Sequence, residues 1–235
     1  MSTFQYHADI LDRFPNVVGG VILAQDMANS PTSNSLLQTF QAEQQIVKQR
    51  IGNTPLSQIE ALAAWRSTFR AFDVDPTQYR SAAEALLRRL TKKGDISSIN
   101  TLVDIGNLVS IRYALPVAVF DTRPLQGAVN VHFADGTESY TTLGQIEEEH
   151  PEIGEVVFSD ETGLVIARRW CWRQSEQSAA QLDTTEAIIT IEAHHANGRR
   201  TIETALNDLQ ELLTRYAGGT LKLGLLDAHN PAISS

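Results

Sequence analysis

The sequence predicts an α+β fold, and three observations lead to that class. Apolar residues recur every three or four positions over most of residues 1–95, which is typical of amphipathic helices. From Pro116 the period changes to two or to short apolar runs, which indicates strands, and residues 198–219 return to a helical period. Helices before and after a strand-rich middle favour α+β over a doubly wound parallel sheet. Without an internal repeat or long linker, we predict a single domain over residues 1–235, with a mostly helical portion at 1–95 and a strand-rich core with a C-terminal helix at 96–235.

The N-terminal portion contains one predicted strand and three predicted helices. VVGGVILA at 17–24 is an apolar run far too short to span a bilayer, so we interpret it as a buried strand and expect no membrane partner. The first helix covers residues 36–51. Two pairs of residues have capping-box spacing: Ser57 with Glu60, and Ser81 with Glu84. They predict the starts of the second and third helices.

A fourth helix, from about Ser98 to Tyr113, is apolar almost all the way round, which indicates a buried position. Asn100, Asp104 and Asn107 interrupt it at i, i+4 and i+7, so we expect them to share one face. A buried amide or carboxylate without a partner costs roughly 1–3 kcal/mol. The stripe therefore indicates either a buried hydrogen-bond network or the wall of a ligand pocket.

The middle of the chain contains five segments with the pattern of strands, and a sixth follows the last helix. Short apolar runs bounded by turn-forming residues distinguish them from helices. The segments are PVAVF at 116–120, GAVNVHFA at 127–134, EVVFS at 155–159, GLVIARRW at 163–170, AIITIEA at 187–193 and TLKLGLLD at 220–227.

Composition and charge exclude several classes of protein. Hydrophobic residues make up 42% and charged residues 20%, which is ordinary for a globular protein. The formal net charge is −9, which argues against a protein that coats nucleic acid, and we expect no DNA partner. A polyanion would need a local basic patch. The single cysteine, Cys171, fits a reducing compartment, so we predict a cytoplasmic location.

Familiar catalytic and metal-binding patterns are absent from the sequence. It has no phosphate-binding G-x-x-x-x-G-K-[ST] loop, no G-x-G-x-x-G after a strand and no G-x-S-x-G elbow. Glu192 and His194 fall on one strand face, but no third spaced ligand accompanies them, so we expect neither a metal nor another cofactor. Cys171 is interpreted as a buried filler rather than a nucleophile.

Several motifs, in order, resemble the editing domain in the beta chain of bacterial phenylalanyl-tRNA synthetase, the B3/B4 domain. The segment at 103–127 is similar to the family pattern Val-Asp-x-x-Asn, a hydrophobic helix, Pro-x-His-x-Phe-Asp and a later Gly. DGTESYTTLG and TTEAIITIEA resemble two further family segments, and the second aligns Glu192 with the family's substrate-reading glutamate. Residues 63–90 and 168–175 resemble stand-alone relatives that lack the synthetase's catalytic core. The matched residues of the first segment are Val103, Asp104, Asn107, Pro116, Phe120, Asp121 and Gly127.

The resemblance implies a layered editing-domain fold of mixed sheets and helices, and an aminoacyl-tRNA deacylase that acts in trans with no ligase activity. Because aminoacyl esters are already activated, positioning the ester and a water would be sufficient for hydrolysis without a covalent nucleophile. Asn107 and Asp104 are then the expected catalytic residues. Glu192, Asn107, Ala118 and Trp170 are the expected substrate-binding residues, and a tRNA acceptor end or an amino acid is the expected partner.

One departure from the family concerns catalysis. Ala118 occupies the position of the family's histidine, which helps to position the attacking water. Asn107, Asp104 or a ribose hydroxyl would have to hold the water instead, and His132 and His195 are further substitutes. Two alternatives to deacylation therefore stay open: a module that binds a tRNA end or an amino acid without hydrolysis, and a small-molecule hydrolase on the same fold.

Two basic clusters are predicted to bind RNA. Cations interleave with tryptophans at 168–173, a composition that stacks bases and binds phosphate, although the same pattern also fits a strand with tryptophans in the core and arginines over the sheet. The second cluster, near residues 88–93, either binds RNA or complements the end of its helix. The predicted RNA-binding residues are Arg88, Arg89, Arg168, Arg169 and Arg173.

Overall fold

A computed structural model describes residues 3–235, in which six helices pack against one six-stranded, one four-stranded and one two-stranded sheet. The predicted α+β class is confirmed. The helices are α1 Ala8–Arg13, α2 Asn34–Ile51, α3 Glu60–Ala71, α4 Ala82–Lys93, α5 Thr101–Tyr113 and α6 Gly198–Tyr216. The strands are β1 Thr3–Tyr6, β2 Val18–Gln25, β3 Val117–Asp121, β4 Ala128–Phe133, β5 Tyr140–Thr141, β6 Glu148–Glu149, β7 Val156–Ser159, β8 Val165–Arg168, β9 Arg173–Gln174, β10 Ala187–Ala193, β11 Thr220–Leu226 and β12 Ala232–Ser234.

The four-stranded sheet separates the two main parts of the hydrophobic core. Its order is β11-β2-β10-β3, with every neighbouring pair antiparallel. On β10, Ile189 and Ile191 pack with the helices, whereas Ile188 packs with the core that lies against the six-stranded sheet. Because side chains alternate along a strand, Thr190 and Glu192 face the same way as Ile188. Glu192 therefore lies on the strand face opposite to Ile189 and Ile191.

The six-stranded sheet has the order β12-β1-β4-β7-β8-β9 and is mixed, because β1 runs parallel to β4. Strand β1 carries Tyr6 into the interior, where its hydroxyl lies against Gly19 of β2. A Cβ at Gly19 would collide with that hydroxyl, so only glycine fits there. The sequence did not predict β1, α1 or β12, because three to six residues are too few to establish a period.

The helix starts confirm one capping prediction, correct the other, and also correct the predicted position of Asn100. Ser81 caps α4, since its side chain accepts a hydrogen bond from the Glu84 N–H at 3.3 Å. Ser57 lies instead in a 3₁₀ turn, and α3 begins at Glu60 without a side-chain cap. Asn100 precedes α5 as its cap, accepting from the Val103 N–H at 3.0 Å, so it does not belong to a stripe on the helix face. Within residues 3–235, every helix is too short or too polar to span a membrane.

Candidate functional site

A cavity of about 140 Å³ lies between the two large sheets and opens beside α5. A cavity of about this size, roughly 150 Å³, holds a benzene ring, so one amino-acid side chain is of the right scale. Gly106 lets α5 approach β3 closely, because a Cβ there would come within 3.3 Å of the Val119 side chain, which is tighter than an ordinary contact. The walls come from α4 and α5, from β3, β7, β8 and β10, and from the turn between β8 and β9. Lining residues include Ala82, Val103, Asn107, Ala118, Phe158, Trp170, Cys171, Trp172, Arg173, Thr190 and Glu192.

Glu192 is the one carboxylate among the residues that line this cavity, and its side chain is only partly satisfied. Its Oε1 accepts hydrogen bonds from the Tyr6 hydroxyl at 2.5 Å and from the Trp170 indole N–H at 3.0 Å. Its Oε2 has no hydrogen-bond partner within residues 3–235. Burial raises the pKa of Glu192 to about 7, although both hydrogen bonds favour the carboxylate. The cavity therefore presents an acceptor oxygen to which no described residue donates a hydrogen bond.

Trp170 is positioned by a tight turn directly after β8. Arg169 and Trp170 both have left-handed backbone conformations, with φ of 44° and 64°, which direct the indole inward rather than along the sheet. The ring packs edge-on against Trp65 and Phe14, with centroids 5.5 and 5.1 Å away. The Trp65 N–H in turn donates to the Glu192 carbonyl oxygen at 3.3 Å. The predicted substrate-binding residue Trp170 thus lines the cavity and also orients Glu192.

Asn107 and Ala118, two of the predicted substrate-binding residues, both lie in the cavity wall, together with Thr190. The Asn107 amide projects from α5 and has no hydrogen-bond partner in the described part of the chain. Thr190 pairs with Ala118 across β10 and β3 and lies two residues before Glu192, on the same strand face. Thr190 was not predicted from the sequence, although it lies two residues before Glu192, and alternate residues of a strand share one face.

Asp104 does not line the cavity, which corrects its predicted catalytic position. Its Oδ1 accepts from the Ile99 N–H at 2.9 Å, and its Oδ2 accepts from the hydroxyls of Thr32, at 2.6 Å, and Ser98. The carboxylate lies in the first turn of α5, where the helix dipole stabilises a negative charge. Asp104 therefore connects α5 to the loops before it.

Cys171 lines the cavity, but its thiol is not activated. Burial, together with the nearby Glu192 carboxylate, raises the pKa of Cys171 well above its usual value. The thiol is therefore protonated at neutral pH. Neither predicted substitute for the family histidine lies in the cavity: His132 Nε2 is hydrogen-bonded to the Ser159 hydroxyl at 2.7 Å, and His195 contacts Thr201 at 3.3 Å in the turn after β10.

The turn that carries Trp170 also separates the predicted RNA-binding arginines. Arg168 forms two hydrogen bonds to Glu155, at 2.9 and 3.0 Å, and one to Glu149 at 2.9 Å. Arg169 lies 3.6 Å from both Glu152 and Glu155. Both arginines are buried, which corrects their predicted role: acidic side chains from the preceding loop already occupy the two guanidinium groups.

Arg88, Arg89 and Arg173 remain exposed and lie together. With neighbours they form what we call the basic groove, whose lining contains six cations and, among the described residues, no acidic side chain. Trp172 and Arg173 line both this groove and the cavity, so the two are adjacent. The residues that line the basic groove are Gln78, Arg80, Ala85, Arg88, Arg89, Lys92, Lys93, Trp172 and Arg173.

His194 extends the wall of aromatic rings behind Glu192. Its ring packs edge-on against Trp65 and Trp170, with centroids 4.5 and 4.9 Å away. Burial lowers the pKa of His194 to about 3, so the imidazole is neutral over the physiological range. Within residues 3–235, no three His, Cys, Asp or Glu side chains are grouped in a way that could hold a metal ion.

Comparisons with known proteins give a sequence relative, a similar structure and a matching family model. The beta subunit of phenylalanine–tRNA ligase from Shewanella oneidensis is 28% identical over 110 residues, which cover 47% of this chain and 13% of that subunit. An N-terminal fragment of the phenylalanyl-tRNA synthetase beta subunit from Pyrococcus horikoshii matches with a TM-score of 0.48 and 13% identity, over 94% of this chain and 50% of the fragment. The chain therefore corresponds to only part of either relative. The family model of the B3/4 domain matches residues 64–233, and the chain belongs to this family.

Proposed function

We propose that this protein hydrolyses a wrongly attached amino acid from tRNA, acting in trans in the cytoplasm. The observation that carries the proposal is the cavity itself: a space of side-chain size, with a free acceptor on Glu192 and a free amide on Asn107, opens beside the basic groove. The relatives' names include a tRNA ligase subunit, which agrees with such a substrate. The cavity would hold the aminoacyl group and the basic groove the end of the RNA.

The roles of the cavity residues follow from their free atoms. Glu192 Oε2 would accept a hydrogen bond from a donor on the amino acid, such as its ammonium or hydroxyl group. The Asn107 amide and the Thr190 hydroxyl would orient the ester and a water molecule. Water attacks the ester carbonyl carbon, the bond from that carbon to the ribose oxygen breaks, and the ribose oxygen takes a proton. This route needs orientation rather than a covalent nucleophile, in agreement with the protonated Cys171 thiol.

Ala118 favours one rival function. Its methyl group lines the cavity at the position where the resemblance expects a water-positioning histidine, so the chain would keep the pocket and lose hydrolysis. In that case the protein would be a module that binds a tRNA end or an amino acid.

The test is release of amino acid from a panel of mischarged tRNAs, measured against a protein-free control. We expect at least one pair to be cleared faster than the control. If no pair is cleared while tRNA still binds, the module replaces the enzyme. If tRNA neither binds nor is deacylated, and free amino acids do not shift the melting temperature, a small-molecule hydrolase becomes the better hypothesis.

Glu192→Ala separates amino-acid recognition from tRNA binding. We expect this variant to change which amino acid is accepted, because the free oxygen is lost, while tRNA affinity changes little, because Glu192 does not line the basic groove. Deacylation rates over the panel and tRNA binding should both be measured. Equal loss of both in a folded variant would show that Glu192 does not read the amino acid.

A further inference from the structure

The basic groove has a direction, which its position on α4 defines. Arg88, Arg89 and Lys92 follow Ala85 at i+3, i+4 and i+7, so they form one exposed face of the helix. Ala82, in the first turn of α4, lines the cavity and donates its N–H to the Cys171 carbonyl at 2.8 Å. The helix therefore begins at the cavity and extends away from it.

The far end of the basic groove is formed by Lys92 and Lys93. At 1.5 Å of rise per residue, they lie about 15 Å along α4 from Ala82. Neither lysine has an ion pair with any residue of the described chain, and both are exposed. Stacked nucleotides are spaced by about 3.4 Å per strand, so about five phosphates fit along this length. Arg80 lies 3.9 Å from the Glu84 carboxylate, whereas the other five cations of the groove have no ion pair with any residue of the described chain. In a chain of net charge −9, this concentration of positive charge marks the groove as a site for a polyanion.

Trp172 lies at the near end, between the groove and the cavity. Its ring contacts Tyr79 edge-on at 5.0 Å, and the Arg169 and Arg173 guanidinium carbons lie 4.9 Å from its centroid. The ring is half-buried and therefore held in place, yet part of it remains accessible. Stacking of a base on such a ring contributes roughly 1–3 kcal/mol and tolerates any base.

We propose that the basic groove holds the last few unpaired nucleotides of an RNA strand in one orientation. The 3′-terminal nucleotide lies at Trp172 and Arg173, and the strand leaves past Arg88, Lys92 and Lys93. The orientation of the RNA strand rests on the proposed function, because only that function puts an esterified 3′ end in the cavity. Recognition is through phosphates and stacking, so the rest of the RNA contributes little to affinity.

The test uses unacylated single-stranded RNA oligonucleotides of two to ten nucleotides, labelled at the 5′ end. We expect affinity to rise with length up to about five nucleotides and then to level off. A bulky label at the 3′ end should abolish binding, because that end lies against the cavity. A further rise towards ten nucleotides, or equal binding of both labelled forms, would overturn the proposal.

A variant of the far end makes the length dependence specific. Lys92→Gln with Lys93→Gln should leave binding of the dinucleotide unchanged and weaken binding of six nucleotides by about tenfold, with a salt slope lower by about 1.4. The matched control, Arg200→Gln with Arg215→Gln, removes two exposed cations from α6 outside the groove and should bind as the unaltered protein does. Equal effects of the two pairs, or equally good competition by an acidic peptide, would overturn the assignment to RNA.

This experiment is independent of the deacylation assay. Deacylation without oligonucleotide binding would overturn the groove proposal and leave the proposed function intact. Oligonucleotide binding without deacylation would overturn the proposed function and leave the groove proposal intact, provided that the 3′ label still blocks oligonucleotide binding.

Discussion

Asp104 and Glu192 are two buried carboxylates in the same chain, with exposed fractions of 0% and 2%, but their surroundings differ in one respect. Both oxygens of Asp104 accept hydrogen bonds, from two hydroxyls and a backbone N–H. Only Oε1 of Glu192 does so within the described residues, and its other oxygen faces a cavity. A completed set of hydrogen bonds stabilises a fold, whereas an incomplete set beside an open space leaves a group for a ligand.

We expect Asp104→Ala to give the largest change in stability, because it removes the carboxylate whose two oxygens both accept hydrogen bonds. A carboxylate that accepts three hydrogen bonds is lost, and buried donors are left without an acceptor, so we expect the free energy of unfolding to fall by about 4 kcal/mol. Urea denaturation measures this.

The control for Asp104→Ala is Asp95→Ala, since Asp95 is exposed. It should change the stability by less than about 0.5 kcal/mol. If the two variants were equally stable, the hydrogen bonds of Asp104 would not hold α5 to its preceding loops.

Glu192→Gln should have the opposite sign and depend on pH. Because the pKa of Glu192 is raised from 4.5 to about 7, the folded state disfavours the charge, and the side chain destabilises the protein increasingly as pH rises from about 4.5 to 7. The glutamine keeps an acceptor for Tyr6 and Trp170 but has no charge. The variant should therefore match the unaltered protein near pH 4.5 and be more stable by about 3 kcal/mol at pH 8.

Denaturation of both proteins across this pH range provides the measurement. Since His194 is present in both, its own titration cancels in the difference between them. Parallel stability curves would show that Glu192 does not carry the raised pKa.

Most of the fold was predictable because long elements repeat their pattern often enough to reveal a period. The sequence correctly predicted strand β10, which carries Glu192, and its neighbours β2 and β3. It also correctly predicted the capping of α4 by Ser81. The catalytic placement of Asp104 was wrong, and the alternative of a buried hydrogen-bond network is the one that the structure shows. The partners in that network were not predictable, because they include Thr32, 72 positions away in the sequence. Tyr6 was missed for the same reason, since it meets Glu192 across 186 positions. Hydrogen-bond partners that distant leave no local signal.

The arginines show the same limit. Arg168 and Arg173 lie in one cation-rich and tryptophan-rich segment, and nothing in that segment distinguishes them. Glu155, 13 residues before Arg168, occupies its guanidinium, while Arg173 lies beyond the left-handed turn and stays exposed. Composition indicated where cations are concentrated but could not show which of them already had acidic partners.

We expect Asn107→Ala to give the smallest change in stability, in contrast to a substitution of Asn100, which caps the same helix. The Asn107 amide has no hydrogen-bond partner within residues 3–235, and alanine favours a helix over asparagine by about 0.5 kcal/mol, so the variant should be slightly more stable. Deacylation, or ligand binding if the chain is a module, should nevertheless fall by about tenfold or more, because one oriented hydrogen bond contributes about that factor.

Asn100→Ala is the matched control. It removes a cap that also donates to the Ala180 carbonyl at 2.9 Å, so it should cost about 1–2 kcal/mol of stability and leave the cavity unchanged. A loss of stability in Asn107→Ala without a loss of function would reverse the assignment of the two asparagines, since an amide retained for a ligand contributes nothing to the fold until the ligand binds.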